Sequence, residues 1–186
     1  MVLEAAYPYQ RIAGRNNGTD RLPDYWQIFP AYPIGQRILD LGCYIGFYCI
    51  QAAQDGAEYC LGVEKVGAFA QKARELATAE RLPSVEILTA SVLDIVISER
   101  YNTVLCLNLL HHFTIKEVRL LLDSIDTWSL ERMVFTIIPP KDTSRYKKRR
   151  KLHISPAFFE SMWPTYEIKV SPVPTMPDRL LLDITK

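Results

Sequence analysis

The sequence predicts a three-layer α/β fold: a seven-stranded, mostly parallel sheet flanked by helices, with an antiparallel hairpin at its C-terminal end. Short apolar runs alternate with longer stretches of helical spacing, the pattern of parallel strands joined by crossover helices. A glycine turn at Gly42 and Gly46 joins one such run directly to a helical stretch. The last two runs are separated by Pro172, Pro174 and Pro177 and leave no room for a crossover helix, so they pair antiparallel.

In chain order, Arg37 to Leu41 is the first strand and Gly46 to Ala53 begins a helix. Tyr59 to Val63 is the second strand. Ala and Leu spaced among alternating charges make Val66 to Ala79 a helix, and Pro83 stops helical structure before a third strand, Ser84 to Thr89. The fourth strand is Thr103 to Asn108. Lys116 to Ile125 is amphipathic, with Val118, Leu121, Leu122 and Ile125 on one face and Lys116, Arg119 and Asp123 away from it. Met133 to Ile138 is the fifth strand. Ser155 and Pro156 suit the N-cap and first position of a short helix ending at Met162. Tyr166 to Val170 and Arg179 to Thr185 form the closing hairpin. The first 35 residues, rich in aromatic and turn residues, form an arm with one short helix around Tyr25 to Phe29.

At 186 residues and 48% hydrophobic, the chain can bury one substantial core. We read one domain: an N-terminal arm or lid over 1–35, a ligand-binding core over 36–138, and a basic loop, short helix and hairpin over 139–186. The longest apolar runs fall far short of the roughly 20 residues that cross a bilayer, so no membrane partner is expected. Met1 to Tyr9 lacks a basic cluster before an apolar run and does not resemble a secretory signal, so a cytoplasmic chain is expected. Cys43, Cys49, Cys60 and Cys106 sit in apolar stretches with no C-x-x-C pair or His-rich companion, so they read as buried free thiols and no metal site is expected.

Charge is uneven. Lys141 to Lys151 holds seven basic residues and one acid, a local balance of +6, while the rest of the chain has 15 basic and 20 acidic residues, a balance of −5. A mildly acidic body carries one basic loop.

Arg37-Ile-Leu-Asp-Leu-Gly-Cys-Tyr-Ile-Gly46 places a strand before a glycine turn that opens a helix. Such a turn lets backbone approach a ligand closely at the carboxyl end of the first strand, where open parallel sheets form their crevice. The spacing matches neither the three-glycine dinucleotide fingerprint nor the P-loop. Asp40-x-Gly42-x-x-x-Gly46 resembles the first motif of the class I S-adenosyl-L-methionine (SAM) dependent methyltransferases, whose fold is Rossmann-like, and the resemblance extends over roughly residues 36 to 138.

What the resemblance implies is SAM as cofactor, with Gly42, Cys43, Tyr44 and Gly46 along its methionine part. Gly42, Tyr44 and Gly46 would offer backbone there, and Asp40 would support the amino group directly or through water. Families of this kind often have a third glycine where Tyr44 stands. Glu64, 24 residues after Asp40, ends the second strand where an acid can accept both ribose hydroxyls of SAM or of NAD. After the third strand, Ser91 or Asp94 stands where the family has an acid reading the adenine amino group, and Val92 could offer its backbone N–H to the ring. Leu107-Asn-Leu-Leu-His-His-Phe113 resembles the family's motif after strand four, particularly the branch with Leu-His-His or Leu-Tyr-His. Asn108 would then flank the sulfonium, and His111 or His112 would face the substrate as a base.

On the substrate side, Lys147, Lys148, Arg149, Arg150 and Lys151 could neutralise phosphates, which leans the acceptor toward RNA. Tyr7, Tyr9, Tyr25 and Trp26 could stack on a base or cover the SAM adenine, or could pack the arm onto the body. A small-metabolite acceptor and a catalytically silent SAM-binding or nucleotide-binding module are the competing readings.

Overall fold

The structure is a computed structural model and describes residues 20–139 and 152–186. It divides into two compact units, one running to Ile95 and the other starting at Val96. The basic run, Tyr7 and Tyr9 lie outside the described residues.

In the first unit, α1 (Leu22–Ile28) precedes β1 (Arg37–Leu41), α2 (Phe47–Gln54), β2 (Tyr59–Glu64), α3 (Gly67–Ala79) and β3 (Val85–Thr89). The three strands are parallel, with Asp40 opposite Gly62 and Glu64 opposite Thr89. Ile38, Leu39, Leu41, Cys60 and Val63 are buried, as expected of strands covered on both faces. Small residues allow close packing. A Cβ added to Gly62 would lie 2.7 Å from both Cys43 Sγ and Ile87 Cδ1, and one added to Gly46 would lie 3.1 Å from Ala73 Cβ on α3. Asp20 Oδ1 accepts the Leu22 N–H at 3.0 Å at the start of α1, and Arg21 and Asp24 form a buried ion pair at 3.1 Å. Tyr25 is buried against Phe29 and Phe47, so this aromatic packs rather than standing ready to stack, whereas Trp26 is exposed and meets Tyr32 edge-on.

The second unit contains β4 (Tyr101–Cys106), a 3₁₀ turn (Leu110–His112), α4 (Ile115–Trp128), β5 (Ser129–Ile137), α5 (Pro156–Met162), β6 (Glu167–Val173) and β7 (Met176–Thr185). The apolar face expected of α4 is its buried face. Its start is set by a capping box: Glu117 donates its N–H to Thr114 Oγ1, and the Glu117 carboxylate accepts the Thr114 N–H at 2.7 Å. Parallel pairing joins β4 to β5, while β7 runs antiparallel to both β5 and β6. Arg132 on β5 grips Asp183 on β7 with two bonds of 2.6 and 2.7 Å. Phe159 and Trp163, from α5 and its end, pack on Phe135.

Strand order is β3-β2-β1 in the first unit and β4-β5-β7-β6 in the second, the seven strands, mostly parallel with an antiparallel C-terminal pair, expected from the sequence. Several element bounds shift by a few residues. The fourth strand ends at Cys106 and not at Asn108, because Asn108 adopts φ +56°, outside strand geometry. The fifth strand begins at Ser129, directly after α4. Pro172 and Pro177, expected between the closing strands, lie within them, and the turn is Pro174-Thr175. Pro172 is tolerated because β6 is an edge strand. The short helix expected around Tyr25 to Phe29 is α1, which starts earlier, at Leu22, and α5 has the expected bounds. Cys43, Cys49, Cys60 and Cys106 are buried free thiols, and no described helix is long and apolar enough to cross a membrane.

Candidate functional site

The end of β1 carries the expected strand-turn-helix. Gly42 and Gly46 have φ of +77° and +81°, and Tyr44 between them has φ +55°. That conformation costs a side-chain-bearing residue about 1 to 2 kcal/mol, so the turn needs glycine-like backbone at all three positions. The Tyr44 ring packs on Phe69, with centroids 4.4 Å apart.

Hydrogen bonds within the chain hold this loop. Gly42 and Cys43 both donate their N–H to the Val63 carbonyl, and Gly46 donates to the Cys43 carbonyl. Tyr44 donates its N–H to Glu64 Oε2 at 3.1 Å, while Val66 donates to Glu64 Oε1 at 2.8 Å. The N–H groups of Gly42, Tyr44 and Gly46 are therefore committed internally. Among the described residues, the Ile45 N–H meets no acceptor, a group that the glycine pattern did not single out. Gly46 also faces α3: a side chain there would strike Ala73, so the residue serves helix packing as well as the turn.

Two carboxylates end neighbouring strands. Asp40 is 2% exposed, and among the described residues its side chain accepts one long bond, from the Cys49 thiol at 3.9 Å. Burial, reinforced by the negative charge of Glu64, pushes the Asp40 carboxyl up to about 7. Glu64 is 7% exposed and holds two backbone donors. A carboxylate has about four lone-pair positions, so roughly two remain for further donors. Burial likewise raises the Cys43 and Cys49 thiols, and pushes Cys60 up to about 12. The Cys43 side chain lies against Gly62, which leaves only its backbone at the turn surface.

After β3, Ser91 Oγ accepts the Leu93 N–H at 3.3 Å and the Ser91 carbonyl accepts the Asp94 N–H, so Ser91 shapes its own turn. Asp94 is exposed. The Val92 side chain is buried, and its N–H has no acceptor among the described residues.

In the second unit, Asn108 stands two residues beyond β4 in a left-handed conformation. Its N–H donates to Thr136 Oγ1, and the Thr136 hydroxyl donates to Asn108 Oδ1 at 3.1 Å. Thr136, on β5 and 3% exposed, carries no motif that reading the sequence could have detected. His111 and His112 occupy the 3₁₀ turn with ring centroids 4.1 Å apart; His111 is half-buried and His112 exposed.

Residues 38–128 match the family model described as a methyltransferase domain. No curated protein sequence matches this chain. Solved structures do. Magnesium protoporphyrin IX methyltransferase from Synechocystis, with bound S-adenosylhomocysteine, superposes with a TM-score of 0.74 at 17% identity over 88% of this chain and 80% of that one. Phosphoethanolamine N-methyltransferase 1 from Haemonchus contortus gives 0.72 at 12% identity over 89% and 42%. An O-methyltransferase family protein from Burkholderia thailandensis gives 0.66 at 13% identity over 81% and 51%. At these identities the structures establish the fold. The seven strands agree with that fold, and the likeness to a methyltransferase domain extends over residues 38–128.

Proposed function

We propose that this chain transfers the methyl group of SAM to a small-molecule acceptor. The observation that carries the reading is the pairing of two buried carboxylates with the left-handed turn from Gly42 to Gly46. Asp40 has no cationic partner among the described residues and suits the amino group of the cofactor, while the remaining lone pairs of Glu64 suit two ribose hydroxyls. Gly42, Cys43, Tyr44 and Gly46 would line the methionine part, with Ile45 supplying a backbone donor. Ser91 and Val92 would border the adenine, the Val92 N–H facing a ring nitrogen.

Bound SAM supplies an activated methyl on a cationic sulfur. The protein's task is then to align a nucleophile, exclude water and accept a proton. Asn108 is assigned to the reacting end, and one of His111 and His112 to the proton. Separate His111→Ala and His112→Ala variants should differ: the one that lowers kcat and removes the neutral-range inflection of the pH profile carries the base.

Two of the similar structures support a small acceptor, since their names specify magnesium protoporphyrin IX and phosphoethanolamine. One sequence feature favours RNA as a second reading: the +6 segment containing Lys147, Lys148, Arg149, Arg150 and Lys151. The four buried free thiols support a reducing, cytoplasmic setting. Labelled methyl transfer from SAM to a metabolite extract and to total RNA decides the acceptor. Transfer to metabolites alone supports the proposal, transfer to RNA alone replaces the acceptor, and SAM binding without transfer identifies a silent binder.

A further inference from the structure

The orientation of one side-chain amide follows from a buried hydroxyl. Thr136 Oγ1 accepts the Asn108 backbone N–H at 2.5 Å, so the Thr136 proton must go elsewhere. A buried hydroxyl left without an acceptor for its proton is costly. Asn108 Oδ1, at 3.1 Å, is that acceptor. Turning the amide over would place two Nδ2 hydrogens against the hydroxyl and leave the Thr136 proton without its partner. Oδ1 is therefore held toward β5, and Nδ2 faces the other way. Among the described residues Nδ2 meets no acceptor, although the side chain is half-buried. The backbone is restrained by the same contact, because the bond to Thr136 spans a residue at φ +56°. A hydrogen-bond donor is thus presented just beyond the carboxyl end of a parallel strand, where folds of this class bind ligands.

We propose that Thr136 is a positioning residue that commits Asn108 to donate, so that the ligand group it meets is a lone-pair oxygen, such as a carboxylate, phosphate or carbonyl oxygen, and not an ammonium. This rests on the SAM methyltransferase reading above. Two sources share that chemistry: the carboxylate of the cofactor and an oxygen of the methyl acceptor.

The test uses the full chain with Thr136→Val, which keeps shape and loses the hydroxyl, and Thr136→Ser, which keeps the hydroxyl. Hydrogen exchange at the Asn108 N–H should quicken about tenfold or more in the Val variant and stay near native in the Ser variant; equal protection in all three overturns the lock. Calorimetry with S-adenosylhomocysteine and labelled methyl transfer from SAM into the metabolite extract then distinguish the sources. An affinity loss of about tenfold in Thr136→Val, restored in Thr136→Ser, assigns the donor to the cofactor carboxylate. Unchanged affinity with a similar loss of transfer, again restored by Ser, assigns it to the acceptor. No change in either, or a Ser variant as impaired as Val, overturns the positioning role. A wild-type chain that binds no S-adenosylhomocysteine overturns the SAM reading instead, and the exchange experiment still decides the orientation of Asn108.

Discussion

The Glu64 carboxylate accepts the backbone N–H of Tyr44 across 20 residues of sequence, at 3.1 Å, and so clamps the glycine turn to the end of the second strand. With its other oxygen it holds Val66 at the start of α3. One side chain thus shapes the loop that the SAM reading assigns to the cofactor.

Glu64→Ala should therefore reduce stability as well as binding. It leaves two backbone donors without their acceptor, a loss of about 2 to 4 kcal/mol in denaturant unfolding. S-adenosylhomocysteine binding should weaken by about 1 to 3 kcal/mol through lost hydrogen bonds. Glu64→Gln keeps one acceptor oxygen and should fall between. Native stability in the Ala variant would contradict the clamp.

Tyr44 separates backbone strain from ring packing. Tyr44→Ala keeps the left-handed strain and loses the Phe69 contact. Tyr44→Gly loses the same ring but relieves the strain, so it should be more stable than the Ala variant by about 1 kcal/mol. Equal unfolding midpoints would show that the turn is not strained at this position.

Asp40 supplies a pH dependence whose direction is determined by its raised carboxyl, at about 7 in the folded chain. Burial raises it most, the Glu64 charge raises it further, and the hydrogen bond from the Cys49 thiol tempers it. Between about pH 4 and 7 the folded chain holds this proton and the unfolded chain does not. The stabilising contribution is complete below about pH 4 and is lost as pH rises through about 7. Asp40→Asn should remove that slope from denaturation curves measured from pH 5 to 8. Under the SAM reading, binding of an ammonium favours the ionised form, so affinity should rise toward pH 7 and a proton should be released on binding. Calorimetry in buffers of different ionisation enthalpy measures that release, and its absence would argue against Asp40 as the ammonium's partner.

Gly62 tests the packing beneath the turn. Gly62→Ala places a methyl 2.7 Å from Cys43 Sγ and Ile87 Cδ1 and should cost about 1 to 3 kcal/mol. In a Cys43→Ala background the cost should shrink, because one of the two obstructing atoms is gone. A double-mutant cycle reads this coupling directly, and additive losses would count against the contact.

Much of the fold was legible because its signals are local. β1 and the turn after it form one contiguous strand-turn-helix segment, and Ser155-Pro156 marks the start of α5 within two residues. The apolar face of α4 follows from helical period alone. Strand ends were less legible. The apolar run continues to Asn108, and only the tertiary structure shows this residue left-handed and bonded to Thr136, 28 residues away.

The candidate site divides in the same way. Gly42, Gly46 and Glu64 were marked by spacing and Asp40 by the family resemblance, whereas the donor left open at the glycine turn was not. Bonds to Val63, Glu64 and Cys43 take up the N–H groups of Gly42, Tyr44 and Gly46, which leaves Ile45. By itself, the sequence determined the order of strands and helices, the glycine turn and the chemical types at the strand ends, since period and turn preference depend on neighbouring residues. Only the tertiary structure decided which backbone groups are already bonded, that Asp40 is buried beside Glu64, and which way the Asn108 amide points. Those properties depend on pairing between distant segments and on the removal of water around them.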